Sequence, residues 1–176
     1  MLARALLVCA TALCAAKTCA DERSTWFVDA FREACTSELP NFERTDAKAK
    51  AQNLPVSSDA GTPRTEQGYF NHVKTWMIDP TTELSAAEAR GPAGEVLSCG
   101  LSGPDPLGDE VKEYVMKVFD LGPPGREAVA PNGLRRSSAW YLKVQSETVI
   151  LLLVDGTPAG LPGASLGITY RANGGL

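Results

Sequence analysis

The residues 163–167, Gly163-Ala164-Ser165-Leu166-Gly167, match the G-x-S-x-G pattern, in which a serine on a sharp turn becomes a nucleophile. That chemistry needs a strand before the serine, a helix after it and a histidine to take the proton. Here an alternating strand pattern follows the serine, and the single histidine, His72, lies far upstream. Other folds order the triad differently, so a Ser165–His72 pair is a geometric question. The simpler reading makes Gly163 and Gly167 the brackets of an ordinary strand. His72 has no histidine or cysteine at metal-ligand spacing, and reads as a surface or half-buried side chain.

Four acids, Asp105, Asp109, Glu110 and Glu113, crowd the start of a helical pattern. A hard cation binds such oxygens, but acids in a first turn also complement the helix dipole, and that is the reading taken here. No Ca²⁺ loop and no H-E-x-x-H pattern is present. The glycine-rich runs Gly91 to Gly103 and Gly156 to Gly167 lack the G-K-[ST] ending of a phosphate loop. Arg135-Arg136 reads as a charged strand edge. Two carboxylates would suffice for glycoside hydrolysis, so scarcity of histidine does not exclude a hydrolase. On these grounds the sequence assigns no catalytic residue, no cofactor and no metal site.

The elements that must position these groups follow from periodicity. Trp26 to Leu39 reads as a helix, with Ser24 as N-cap and Phe27, Phe31 and Ala34 on one face beside Cys35. Asn41 can cap a second helix, Phe42 to Asn53. Pro55 to Gly68 is polar and reads as a loop, and Ser85 to Arg90 as one helical turn. Asp105 to Leu121 reads as the third helix, with Asp105 as N-cap, Pro106 at the first position and Gly122 as its stop. Leu107, Val111, Tyr114, Val115, Val118 and Phe119 form its apolar stripe. Strands are expected at Tyr69 to Ile78, Glu95 to Leu101, Ser137 to Val144, Thr148 to Val154 and Ala164 to Tyr170. Thr148 to Val154 is apolar on both faces and should be central. The tail from Arg171 reads as frayed. The fold class is α+β: a mostly antiparallel sheet of about five strands, with N-terminal helices and one mid-chain helix against it.

The chain has 176 residues, net charge −4, 44% hydrophobic and 22% charged residues, as one ordinary folded domain would. An acidic balance argues against nucleic-acid binding. Arg4 followed by the uncharged run Ala5 to Ala16 and the small residues of Thr18-Cys19-Ala20 reads as a secretory signal peptide, residues 1–20, cut before Asp21. The run is too short to span a bilayer, and no transmembrane span is expected after the signal is removed. A cut after Ala16 would leave three cysteines, and an odd thiol invites mispairing. Cys9, Cys14 and Cys19 sit in poor contexts for lipidation. Residues 21–176 then form a single domain of 156 residues, net charge −6, in the periplasm or outside the cell.

Cys35 and Cys99 are the two cysteines left, 64 residues apart, and an oxidising compartment favours a bridge between them. With no C-x-x-C, a redox-active pair is not expected.

These features resemble small exported proteobacterial proteins of unknown function. The resemblance rests on the signal, on Phe31-Arg32-Glu33-Ala34-Cys35 in an early helix, on Trp76 in a first strand, on Val96-Leu97-Ser98-Cys99-Gly100-Leu101, and on the late apolar strands. It implies export and a cysteine pair, and no activity. The functional expectation is therefore a non-catalytic exported domain that binds or supports an envelope or secreted protein partner. The alternatives are a small secreted hydrolase using carboxylate or serine chemistry, and an inhibitor of such a hydrolase.

Overall fold

The computed structural model describes residues 22–63, 69–91 and 94–172. The signal assigned to residues 1–20 lies outside them. Helix α1 (residues 22–31) runs into a π-helical turn, Arg32–Thr36. There follow α2 (Phe42–Ala51), β1 (Val56–Thr62), β2 (Phe70–Met77), β3 (Glu83–Gly91), β4 (Gly94–Gly103), α3 (Gly108–Val118), β5 (Arg126–Val129), β6 (Arg136–Val144), β7 (Glu147–Asp155) and β8 (Ala164–Ala172). The eight strands form one sheet in the order β1-β2-β3-β4-β8-β7-β6-β5, and every neighbouring pair is antiparallel. The α+β class stands as read from the sequence; the count of five strands does not.

All five expected strands are present, and the three additional ones have distinct reasons for having escaped notice. β1 falls in the supposed loop Pro55 to Gly68: all its residues are exposed, so no alternation marks it. β3 replaces the supposed turn of helix at Ser85 to Arg90. Its Ala- and Glu-rich sequence favours helix locally, but pairing along its whole length with β2 and β4 overrides that weak preference. β5 is a short, fully exposed edge strand after Gly122, where no strand was expected. β8 also runs through Arg171 and Ala172, which were assigned to a frayed tail.

Alternation divides the sheet into two faces. One carries Trp76, Leu84, Cys99, Leu101, Trp140, Leu151, Leu153, Leu166 and Ile168, all buried. Against it pack Phe27, Val28 and Phe31 of α1, Phe42 and Ala49 of α2, and Val111 and Val115 of α3. β7 is central as expected, but only one of its faces is buried. Val149, Leu151 and Leu153 are in the core, whereas Leu152 is 40% exposed on the other side. The β6–β7 turn closes through Gln145 and Ser146, both with positive φ, as a two-residue hairpin requires.

The helix starts differ from expectation. Asn41 caps α2, its side chain accepting from the Arg44 N–H at 2.9 Å. Ser24 does not cap its own helix, because α1 already includes residue 22. It is buried instead against the start of α3, where its hydroxyl accepts from the Leu107 N–H and donates to Glu110. Asp105 is not the N-cap of α3 either. Leu107 stands at that position, and Asp105 accepts a hydrogen bond from Thr81.

Gly108 shows why α3 begins where it does. A Cβ there would lie 2.5 Å from Cβ and Cγ of Asp155 and from Oγ1 of Thr157. Alanine normally favours a helix over glycine by about 1 kcal/mol. Gly108→Ala is nevertheless expected to cost roughly 1–3 kcal/mol, because Asp155 is wholly buried and cannot move aside. Urea denaturation measures it; an unchanged or raised midpoint would contradict this packing.

Arg23 ties α1 to the β2–β3 turn. It donates to Asp79 at 2.9 Å and to Thr82 at 2.8 Å, with its guanidinium over the Trp26 ring. Burial pushes the Asp79 carboxyl up, but the Thr81 and Thr82 N–H groups and the Arg23 charge outweigh it and hold it at about 2. A carboxyl lowered on folding stabilises the protein above its ordinary range, and that stability is lost as pH falls toward the folded value. Asp46, Asp59 and Glu127 are lowered too, chiefly by hydrogen bonds from Lys50, His72 and Lys112 respectively. The melting temperature is thus expected to hold above about pH 5 and to drop between about pH 4 and 2. Asp79→Asn should cost roughly 1–2 kcal/mol at neutral pH and flatten that acid decline. Parallel acid limbs in the variant and the parent would count against this account.

Candidate functional site

The face of the sheet away from the helices is not covered by any described element. Small side chains dominate its middle: Ser85, Ala87, Ser98, Gly100, Gly167 and Thr169 are register neighbours across β3, β4 and β8. Larger apolar side chains flank them, with Val73 39%, Leu152 40% and Tyr141 65% exposed. At one end of this face lies a groove of about 480 Å³. Its floor is a row of cross-strand partners, Met77, Glu83, Ser102, Ser165 and Val154, running over β2, β3, β4, β8 and β7. Arg135, just before β6, lines it from the far side, and Pro80 and Pro162 belong to its walls.

Arg135, one residue before β6, lines the groove on the uncovered face, whereas Arg136, the first residue of β6, faces the helices. Arg136 is not a solvated edge charge. It donates to Asp155 through Nε at 3.1 Å and Nη2 at 3.0 Å, and to Asp109 at 2.7 Å. Arg135 enters the groove, where its guanidinium has no partner among the described residues.

His72 and Ser165 do not meet. His72 shares a face with Lys74 and Trp76 on the helix side, whereas Ser165 lies on the uncovered side. The His72 ring stacks on Phe42 at 4.2 Å, and its Nε2 is 2.7 Å from Asp59. Lys74 beside it bridges Asp46 at 3.0 Å and Asp59 at 3.2 Å. This set fastens the edge strand β1 and helix α2 to β2. The G-x-S-x-G serine therefore sits in the groove without a histidine, and Glu83 stands two strands away from it, about 10 Å. Among the described residues a single carboxylate lines the groove, so a two-carboxylate glycosidase arrangement has no second member among them.

The acids at the start of α3 are drawn apart. Asp105 goes to Thr81 and Arg23, Asp109 to Arg136, and Glu110 to Ser24. Among the described residues no group of three or more His, Cys, Asp or Glu side chains could hold a metal ion. The second glycine run is closed on itself: a Cβ at Gly156 would meet the Leu161 carbonyl at 2.6 Å. Cys35, on the π turn, and Cys99, in the middle of β4, are both buried and stand at disulfide distance, with Cα atoms 5.4 Å apart.

Glu83 and Ser102 were not singled out from the sequence. Ser102 lies one residue beyond the expected strand and pairs with Ser165 across β4 and β8, while Glu83 joins the row through Ser102 only because β3, which the local sequence disguises, is a strand. Comparison with protein-family models, with curated proteins and with solved structures finds no match to this chain. No helix among the described residues is long and apolar enough to cross a membrane.

Proposed function

We propose that this chain is an exported, non-catalytic binding domain, acting in the periplasm or outside the cell on an envelope or secreted protein partner. One observation carries the reading: among the described residues, helices cover one face only of the eight-stranded sheet. The other face presents exposed apolar side chains around a centre of small ones. Such a surface admits close backbone approach and offers apolar area to a partner. The export half of the reading is supported by the Cys35–Cys99 pair, which suits an oxidising compartment. Among the described residues Ser165 has no base beside it, which favours binding over hydrolysis.

The test is made in an exporting bacterial host with the full chain. An intact mass beginning at Asp21 and two hydrogens short is expected for the exported product. A photo-crosslinking residue at Ala87 or Leu152, on the uncovered face, should yield a discrete adduct. The same residue at Glu43, exposed on α2, should not. A product retained with free thiols would overturn export, and equal or absent adducts at the three positions would overturn the partner surface.

A further inference from the structure

The groove has features that a flat partner surface does not require. Nearly every charged side chain around it is neutralised inside the molecule: Arg136 by Asp155 and Asp109, Arg23 by Asp79 and Asp105. Glu83 and Arg135 are exceptions. Among the described residues neither charge has a partner, nor do the hydroxyls of Ser102 and Ser165, yet all four line one groove. We propose that this groove binds a short peptide with free termini, its ammonium at Glu83 and its carboxylate at Arg135.

The chemistry of the lining selects that class. One carboxylate and one guanidinium at opposite ends make the groove neutral overall but polar along its length, which suits a zwitterion. A phosphate would face Glu83, and a polyamine would face Arg135, each at a repulsive cost. No aromatic ring lines the groove to stack on a sugar or a base. The two serine hydroxyls between the charges can each donate and accept, as peptide N–H and C=O groups require. Met77 and Val154 lie in the same row and offer apolar contacts to side chains.

The dimensions agree. From Glu83 on β3 to the start of β6 is four strand spacings, about 19 Å, which leaves about 10 Å once both long side chains reach inward. Three extended residues span about 10 Å. A volume of about 480 Å³ is within the range of small-ligand sites. Arg–carboxylate pairing then fixes polarity, since reversing the peptide would set like charges together at both ends.

The full exported chain, isotope-labelled, is titrated with tri-alanine while amide resonances are followed. Saturable shifts are expected at Ser102, Ser165 and Val154. N-acetylation or C-amidation of the peptide should each weaken binding at least about tenfold, the effect of one charge-assisted pair. In Arg135→Gln, C-amidation should no longer matter while acetylation still does; in Glu83→Gln the reverse should hold. Absence of saturable shifts up to about 10 mM, or equal affinity for free and blocked peptides on the parent chain, would overturn the proposal. So would variants that respond equally to both blocks. The crosslinks from Ala87 and Leu152 do not depend on this result, so the peptide site can fail while the partner surface stands, and the converse.

Discussion

Arg136→Ala is expected to lose about 3–5 kcal/mol in denaturant unfolding, whereas Arg135→Ala, one residue away, should stay within about 0.5 kcal/mol of the parent. The difference comes from the strand alternation. Arg136 faces the helices and meets Asp155, which has no exposed surface. Asp155 takes two hydrogen bonds from Arg136 and one from the Thr157 N–H, and Gly108 leaves the space it occupies. Removing the arginine strands a carboxylate in the core, and that desolvation is the main loss. Burial alone would lower the Arg136 pKa, but the hydrogen bonds and charges of Asp109 and Asp155 outweigh it and raise it, so the guanidinium stays charged. A cycle with Asp155→Asn separates the contributions: the double variant should recover part of the loss, because no uncompensated charge remains. If the double variant is as unstable as the sum of the singles, the pair is not the source of the effect.

Reducing Cys35 and Cys99, or replacing both by serine, should cost up to about 4 kcal/mol, the chain-entropy value for a loop of this length. The denaturation midpoint should fall. Hydrogen exchange should show where: α1 and its π turn, whose end is tied at Cys35 to the middle of the sheet, should lose protection before the strands do. The strands keep their own ladders, with Cys99 flanked by Ala86 and Ile168. A midpoint indifferent to reductant, or alkylation of both thiols without reduction, would refute the bridge and weaken the argument for export.

The groove and the buried ion pair were both partly visible as residues and invisible as sites. Ser165 drew notice through its flanking glycines as a candidate nucleophile, but His72 lies on the other face of the sheet. The serine's neighbours Glu83 and Ser102 are ordinary residues until the register of β3 on β4 and of β4 on β8 sets them in a row. β3 could not be read locally, since its Ala-Glu-Ala-Arg run prefers a helix and is held extended only by the strands on either side. Arg135-Arg136 looked like one basic pair. Alternation alone would have split it, but which arginine faces the core depends on the sheet's covered side.

By itself the sequence determined what local patterns can carry. The α+β class, five strands and the Asn41 cap all follow from periodicities of 3.6 and 2 and from capping chemistry, which act within a few residues. Tertiary structure alone decided the exposed strands β1 and β5, the conversion of a helix-prone run into β3, and the use of Ser24 at another helix's start. It also decided the isolation of His72 from Ser165. Those outcomes are set by partners distant in the chain, whose hydrogen bonds and buried area outweigh local preferences worth a fraction of a kcal/mol per residue.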